Sequence, residues 1–213
     1  MNFLKPKTQD EINNLVAAEG FTQYIVFRDN NEKADLKQSL RKKIIDGDQI
    51  LLVLKEKIII GFAIITDWQD MPDAKCLEII EIAEPYRCMG MGSILMEQIL
   101  KEWGESLIIL TAQTDPSHEE KLIKFYKKMG FKLLANQSFS APMMAYIPPN
   151  KDKLNAWINH IEKSFKEYSY KQFDVQKALP TWGRRYAPWL NYSYDVYTAL
   201  LIEMQRIIEE GMK

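Results

Sequence analysis

The sequence predicts an α+β fold, a mixed and mostly antiparallel sheet flanked by helices, with a helical extension at the C-terminus. Three observations predict it. Short apolar runs at Ile50–Leu54, Lys57–Thr66, Cys76–Ala83 and Leu107–Ala112 read as strands. Amphipathic stretches at helical spacing are interleaved with them. From Pro148-Pro149-Asn150 onward the composition changes, and residues 151–213 hold 11 of the 24 aromatics. That shift divides the chain into a domain at 1–149 and an aromatic-rich helical extension at 150–213.

Taken in order, Asp10–Ala18 reads as a short helix, and Asp35–Ile45 as a second that ends near Gly47. The runs Ile50–Leu54 and Lys57–Thr66, separated by a tight polar turn, read as a hairpin. The strand at Cys76–Ala83 leads through a turn into a helix with Met96, Ile99, Leu100 and Trp103 at i, i+3, i+4 and i+7. A strand at Leu107–Ala112 follows. A polar loop then opens a helix with Leu122, Phe125, Tyr126 and Met129 on one face, stopped by Gly130. Phe131–Leu134 and Pro142–Ile147 close the sheet. In the extension, Lys153–Tyr168 and Ser193–Glu210 read as helices, joined by Leu179–Trp189.

The chain has 213 residues, 46% of them hydrophobic, and a net charge of -1. This length supports one full core and a small second unit. The charge balance gives no reason to expect nucleic acid or an anionic membrane as partner. The longest apolar run, Ile58–Ile65, is far too short to span a bilayer. The start Met1-Asn2-Phe3-Leu4-Lys5-Pro6 does not read as a signal peptide. Two cysteines, Cys76 and Cys88, make no disulfide framework, so a reducing cytoplasm is the expected location.

The richest segment is Leu77–Ser93: an apolar strand, a turn, then Arg87-x-x-Gly90-x-Gly92 opening a helix. A helix N-terminus leaves several backbone N–H groups unpaired with the helix dipole behind them, which suits an anion. Arg87 adds a positive charge. The pattern is neither a Walker loop nor the Gly-x-Gly-x-x-Gly dinucleotide fingerprint. Together with Phe125-Tyr126-x-x-x-Gly130-Phe131, it resembles the GNAT superfamily of acyl-CoA-dependent N-acetyltransferases over roughly residues 1–147. Many members have glycine directly after the arginine, where this chain has Cys88. Many have asparagine seven residues before the tyrosine, where this chain has Glu119.

The resemblance implies acetyl-CoA as acyl donor and a primary amine as acceptor, with no metal. The pyrophosphate of coenzyme A would lie on Arg87, Cys88, Met89, Gly90, Met91, Gly92 and Ser93. The pantetheine arm would bond along the backbone of Ile80, Ile82 and Ala83, where this strand splays from its neighbour. Tyr126 would protonate the departing thiolate, since a phenol of pKa about 10 stays protonated at neutral pH. Glu78, four residues before Ile82, would take a proton from the acceptor amine. Glu81 is the second choice, and strand alternation sets the two on opposite faces.

Each residue also has a plainer reading: Tyr126 as core, Glu78 as a solvated or ion-paired strand carboxylate, Ser93 as an early-helix residue, and Cys88 as a turn residue instead of a nucleophile. His118 and His160 have no metal-site neighbours in sequence. Arg184-Arg185 amid Trp182, Tyr186 and Trp189 suggests an RNA-stacking platform, but 10 basic against 8 acidic residues in the extension argue for a helical cap or homodimer surface instead. The rival function is a non-catalytic acyl-CoA-binding sensor or partner-binding module.

Overall fold

A computed structural model describes residues 1–21, 35–68, 71–112, 118–134, 142–178 and 183–211, with backbone only for the described residues of 168–195. The chain forms two compact units, one of residues 1–68 and 73–110, the other of residues 69–72 and 111–213.

The first unit is built on a twisted sheet. Its strands are β1 (Asn2–Leu4), β2 (Val16–Ala17), β3 (Gln49–Lys55), β4 (Ile58–Asp67), β5 (Ala74–Ile82) and β6 (Leu107–Thr111). The order β1-β3-β4-β5-β6 is antiparallel until β5 meets β6, which run parallel. The hairpin between β3 and β4 turns at Glu56, whose φ of 58° is left-handed. Residues Ile50, Leu52, Phe62 and Ile64 share one face of the sheet. They bury against Ile12 of α1 (Gln9–Asn13) and against Leu36 and Leu40 of α2 (Leu36–Ile45). On the other face lies α3 (Met91–Trp103), whose Leu95, Met96, Ile99 and Trp103 are buried.

The helix expected over Asp10–Ala18 stops early. Val16 and Ala17 instead pair parallel with Ile58 and Ile59, with Val16 N–H donating to the Lys57 carbonyl at 2.9 Å. An exposed strand edge offers these amides partners that a helix end lacks, and the β-branched Val16 suits it. The pairing of Asn2–Leu4 with Leu52–Leu54 carries no alternation long enough to be read beforehand.

The second unit holds α4 (Glu119–Lys128), β7 (Lys132–Leu133) and β8 (Met143–Tyr146), followed by α5 (Lys151–Ala178) and α6 (Gly183–Glu210). The strands β7 and β8 pair antiparallel. Asn150 caps α5, its side-chain oxygen accepting from Lys153 N–H at 3.2 Å. Both long helices exceed their expected bounds, and α6 takes in residues 183–189 of the segment expected to join them. The two pack together, burying Leu154, Trp157 and Ile161 on one and Val196, Leu200 and Met204 on the other. The Trp157 indole donates to the Pro72 carbonyl at 2.8 Å. Among the described residues no helix is long and apolar enough to cross a membrane.

Candidate active site

The centre of the first unit is the end of β5 and the turn after it. Parallel pairing of β5 with β6 covers Ala74–Cys76 against Leu107–Ile109 and goes no further among the described residues, while β5 continues to Ile82. The two strands therefore part. Along the far edge β5 stays paired with β4, and Ala83 N–H donates to the Ile60 carbonyl at 2.9 Å. Backbone groups alternate in direction along a strand. With Ala83 N–H turned to β4, those of Ile82 and Ile80 face the opened edge. Ala83 itself is committed: its carbonyl accepts from Tyr86 N–H at 2.9 Å.

Beyond Ala83 a 3-10 turn, Glu84–Tyr86, carries Pro85 in its first positions, where a missing N–H costs nothing. Arg87 does not point outward alone. Its Nε donates to the Ile82 carbonyl at 2.8 Å and its Nη2 to Glu81 Oε1 at 3.2 Å. The turn then needs two left-handed residues, Cys88 at φ 60° and Gly90 at φ 79°. Glycine adopts this conformation freely and cysteine does not, so Cys88 carries strain where the family pattern has glycine. Gly90 is the N-cap of α3 and no side chain caps the helix. A Cβ built on Gly90 would meet none of the described residues within 4 Å. The first-turn N–H groups of a helix without a side-chain cap are the kind of group an anion can satisfy. Met89 is exposed, and Met91, Gly92 and Ser93 form the first turn of α3. Gly92 is helical, so a left-handed requirement holds for Gly90 alone.

The two carboxylates on β5 do not lie on opposite faces. Ile64 pairs with Ile79 but Ile65 pairs with Leu77, so Glu78 is the extra residue of a β-bulge. Glu81 sits opposite Phe62, on the face that packs against α1 and α2. The bulge turns Glu78 to that same side, where its Oε2 lies 2.7 Å from Lys43 Nζ of α2. Lys43 also meets Asp48 Oδ2 at 2.8 Å. Burial alone would push the Lys43 pKa down, but hydrogen bonds to Asp48 and Glu78 hold it raised. Nearby, burial pushes the Cys76 thiol up to about 11, with Glu78 adding to the effect.

Lys43 and Asp48 escaped the sequence reading. One signal was available: Lys43 is three and seven residues beyond Leu40 and Leu36, a charged residue on the buried face of a helix.

In the second unit, Tyr126 is the buried residue of α4 at 5% exposure. Burial raises its phenol pKa further above the ordinary value. Its ring packs against Phe125 at 5.2 Å and Phe131 at 5.7 Å between centroids. Gly130, φ 90°, ends the helix. Phe131 N–H donates to the Tyr126 carbonyl and Gly130 N–H to that of Lys127, both at 3.0 Å. This is a Schellman cap, with Tyr126 and Phe131 as its hydrophobic pair. The Tyr126-x-x-x-Gly130-Phe131 spacing thus has a folding reason independent of chemistry. The segment 113–117 before His118 and the residues 179–182 that include Trp182 lie outside the described residues, as do the side chains of Arg184, Arg185, Tyr186 and Trp189. Among the described residues no group of three or more His, Cys, Asp or Glu is placed to hold a metal ion.

The model of the acetyltransferase (GNAT) family matches residues 17–131, more than half of the chain, and the protein belongs to that family. Acetyl transfer from acetyl-CoA is the chemistry this membership supports. No curated protein matches the chain. Among solved structures it is similar to the acetoin utilization protein from Exiguobacterium sibiricum, at 15% identity and TM-score 0.51, over 68% of this chain and 86% of that one. It is also similar to the PaiA N-acetyltransferase from Thermoplasma acidophilum in complex with coenzyme A, at 20% identity and TM-score 0.47, over 68% and 98%. The first likeness is one of fold.

Proposed function

We propose that the protein moves an acetyl group from acetyl-CoA to a primary amine by direct attack, in a domain spanning residues 1–149 that carries the extension 150–213. Acetyl-CoA supplies the reactive thioester. The parting of β5 from β6 after Cys76 carries the reading, because it leaves Ile80 and Ile82 with amides facing an open edge beside the bare α3 N-terminus. On this reading the α3 N–H groups hold the pyrophosphate, and Ile82 N–H polarises the thioester carbonyl. Glu78 takes the proton that the acceptor ammonium must lose before it attacks. Tyr126 gives its proton to the sulfur as the C–S bond breaks, a role its buried, protonated phenol suits. The second proton that the nitrogen sheds as the amide forms restores the phenol. Arg87 serves by pinning the turn to β5 as well as by charge.

Release of free CoA thiol with a panel of amines is the test. Acceptor-dependent release supports the reading, and tight CoA binding with no release from any amine overturns it. That second outcome is the mark of an acyl-CoA sensor. One observation favours the sensor: both carboxylates of β5 are already held by cations, Glu78 by Lys43 and Glu81 by Arg87.

A further inference from the structure

Resting on the acetyl-transfer reading, we propose that Lys43, anchored by Asp48, is a positioning residue that holds the Glu78 carboxylate in place for proton transfer. The anchor is built into the backbone. Gly47, φ 86°, ends α2 in a Schellman cap: Asp48 N–H donates to the Lys43 carbonyl at 3.0 Å and Gly47 N–H to that of Ile44 at 3.1 Å. Such a cap brings the side chains of Lys43 and Asp48 together, at the positions where an apolar pair is usual. Here the pair is an ion pair, with side chains 10% and 14% exposed. Fold stability does not call for this. Lys43 shares a helix face with Leu36 and Leu40, and a methionine there would bury without desolvating a charge.

What the arrangement achieves is a fixed carboxylate. The bulge in β5 turns Glu78 onto the α2 face, and Nζ takes Oε2 at 2.7 Å. Glu78 remains 34% exposed while the cation is buried and its anchor is half-buried, its side chain 14% exposed. The accessible end of the triad is therefore the carboxylate. In the reaction the acceptor ammonium passes its proton to Glu78, and from there the proton leaves to solvent. Lys43 keeps its own proton throughout, consistent with its raised pKa. Fixing a reacting group removes freedom that would otherwise be lost on reaching the transition state.

The test is a double-mutant cycle on the full chain, read as steady-state kcat and KM for acetyl-CoA with an accepted amine. K43M is expected to lower kcat about 10-fold and leave KM for acetyl-CoA unchanged. In the E78Q background K43M is expected to lower kcat no further, because its only route to the reaction is through Glu78. D48N keeps Lys43 and loosens its anchor, so it should lower kcat in the parent chain and again be silent with E78Q. This second variant decides the matter if K43M melts below the assay temperature. Equal losses from K43M or D48N in both backgrounds overturn the proposal and leave acetyl transfer standing. A parent chain that releases no CoA thiol from any amine overturns both.

Discussion

Cys88 shows how much one residue's backbone decides. Its φ of 60° is a conformation that β-carbon contacts disfavour by about 1–2 kcal/mol. Cys88→Gly is therefore expected to raise stability by about 0.5–1 kcal/mol, after the extra freedom of glycine in the unfolded chain is set against the relief. Thermal melting checks this, and an unchanged or lower midpoint refutes it. Gly90→Val works in the opposite direction. A Cβ there would meet none of the described residues within 4 Å. The cost to folding is therefore the strain of a β-branched residue at φ 79°, about 1–2 kcal/mol or somewhat more. The folded variant would carry a side chain beside the α3 N-terminus. Calorimetry with CoA should show binding lost, and unchanged affinity in the folded variant would remove Gly90 from the proposed phosphate site. Tyr126→Phe keeps the ring packing and deletes the proton donor, so kcat should fall roughly 10-fold or more while KM for acetyl-CoA barely moves. At this scale the sequence was most legible for Gly90 and Tyr126, since each belongs to a spaced motif. Arg87 was legible as a charge, but its bonds to Ile82 and Glu81 depend on how the turn folds back.

Two elements owe their form to features that periodicity does not carry. The bulge at Glu78 inserts one residue into β5 and reverses the side to which everything before it would face. Alternation alone separated Glu78 from Glu81, and the bulge reunites them. The helix α4 ends where its sequence says, because Gly130 at φ 90° is the left-handed residue of a Schellman cap. Gly130→Ala should cost about 1–2 kcal/mol. Its Cβ would only touch the Tyr146 ring at 3.5 Å, an ordinary contact, so the cost is conformational. Because Tyr126 provides the carbonyl that the cap satisfies, the same variant should lower kcat, and full activity would show that the cap and the chemistry are independent.

For the molecule as a whole, three described groups with raised pKa values, Cys76, Lys43 and Tyr126, all lower stability as pH rises into the alkaline range. The Cys76 thiol titrates near 9.0 when exposed and about 11 when folded, so the stability it contributes is full below pH 9 and lost between 9 and 11. Lys43, also raised, acts in the same direction above its ordinary pKa of about 10.4. Melting temperatures measured from pH 8 to 11 should fall, and Cys76→Ala should flatten the decline. An identical decline in the variant would place its origin elsewhere. The extension belongs to the same compact unit as α4 and β8, and it buries Trp157 with its indole on the Pro72 carbonyl. Ending the chain after Asn150 would expose those apolar partners, so residues 1–150 should aggregate or melt well below the full chain. A soluble, monomeric and equally stable fragment would show the extension to be an appendage.

The sequence by itself determined the α+β class, the strand–turn–helix around Arg87–Gly92, the second helix with its glycine stop, and the family. These follow from local causes: hydrophobic period, turn chemistry and the need of a left-handed residue at a helix end. Tertiary structure decided that Val16 and Ala17 join the sheet, that β5 bulges at Glu78, that Ala83 is spent on Ile60 and Tyr86, and that Lys43 crosses from α2 to a strand carboxylate. Each of these is a contact between segments far apart in the chain. A strand's register and a buried charge's partner depend on what stands opposite, and no window along one segment contains that.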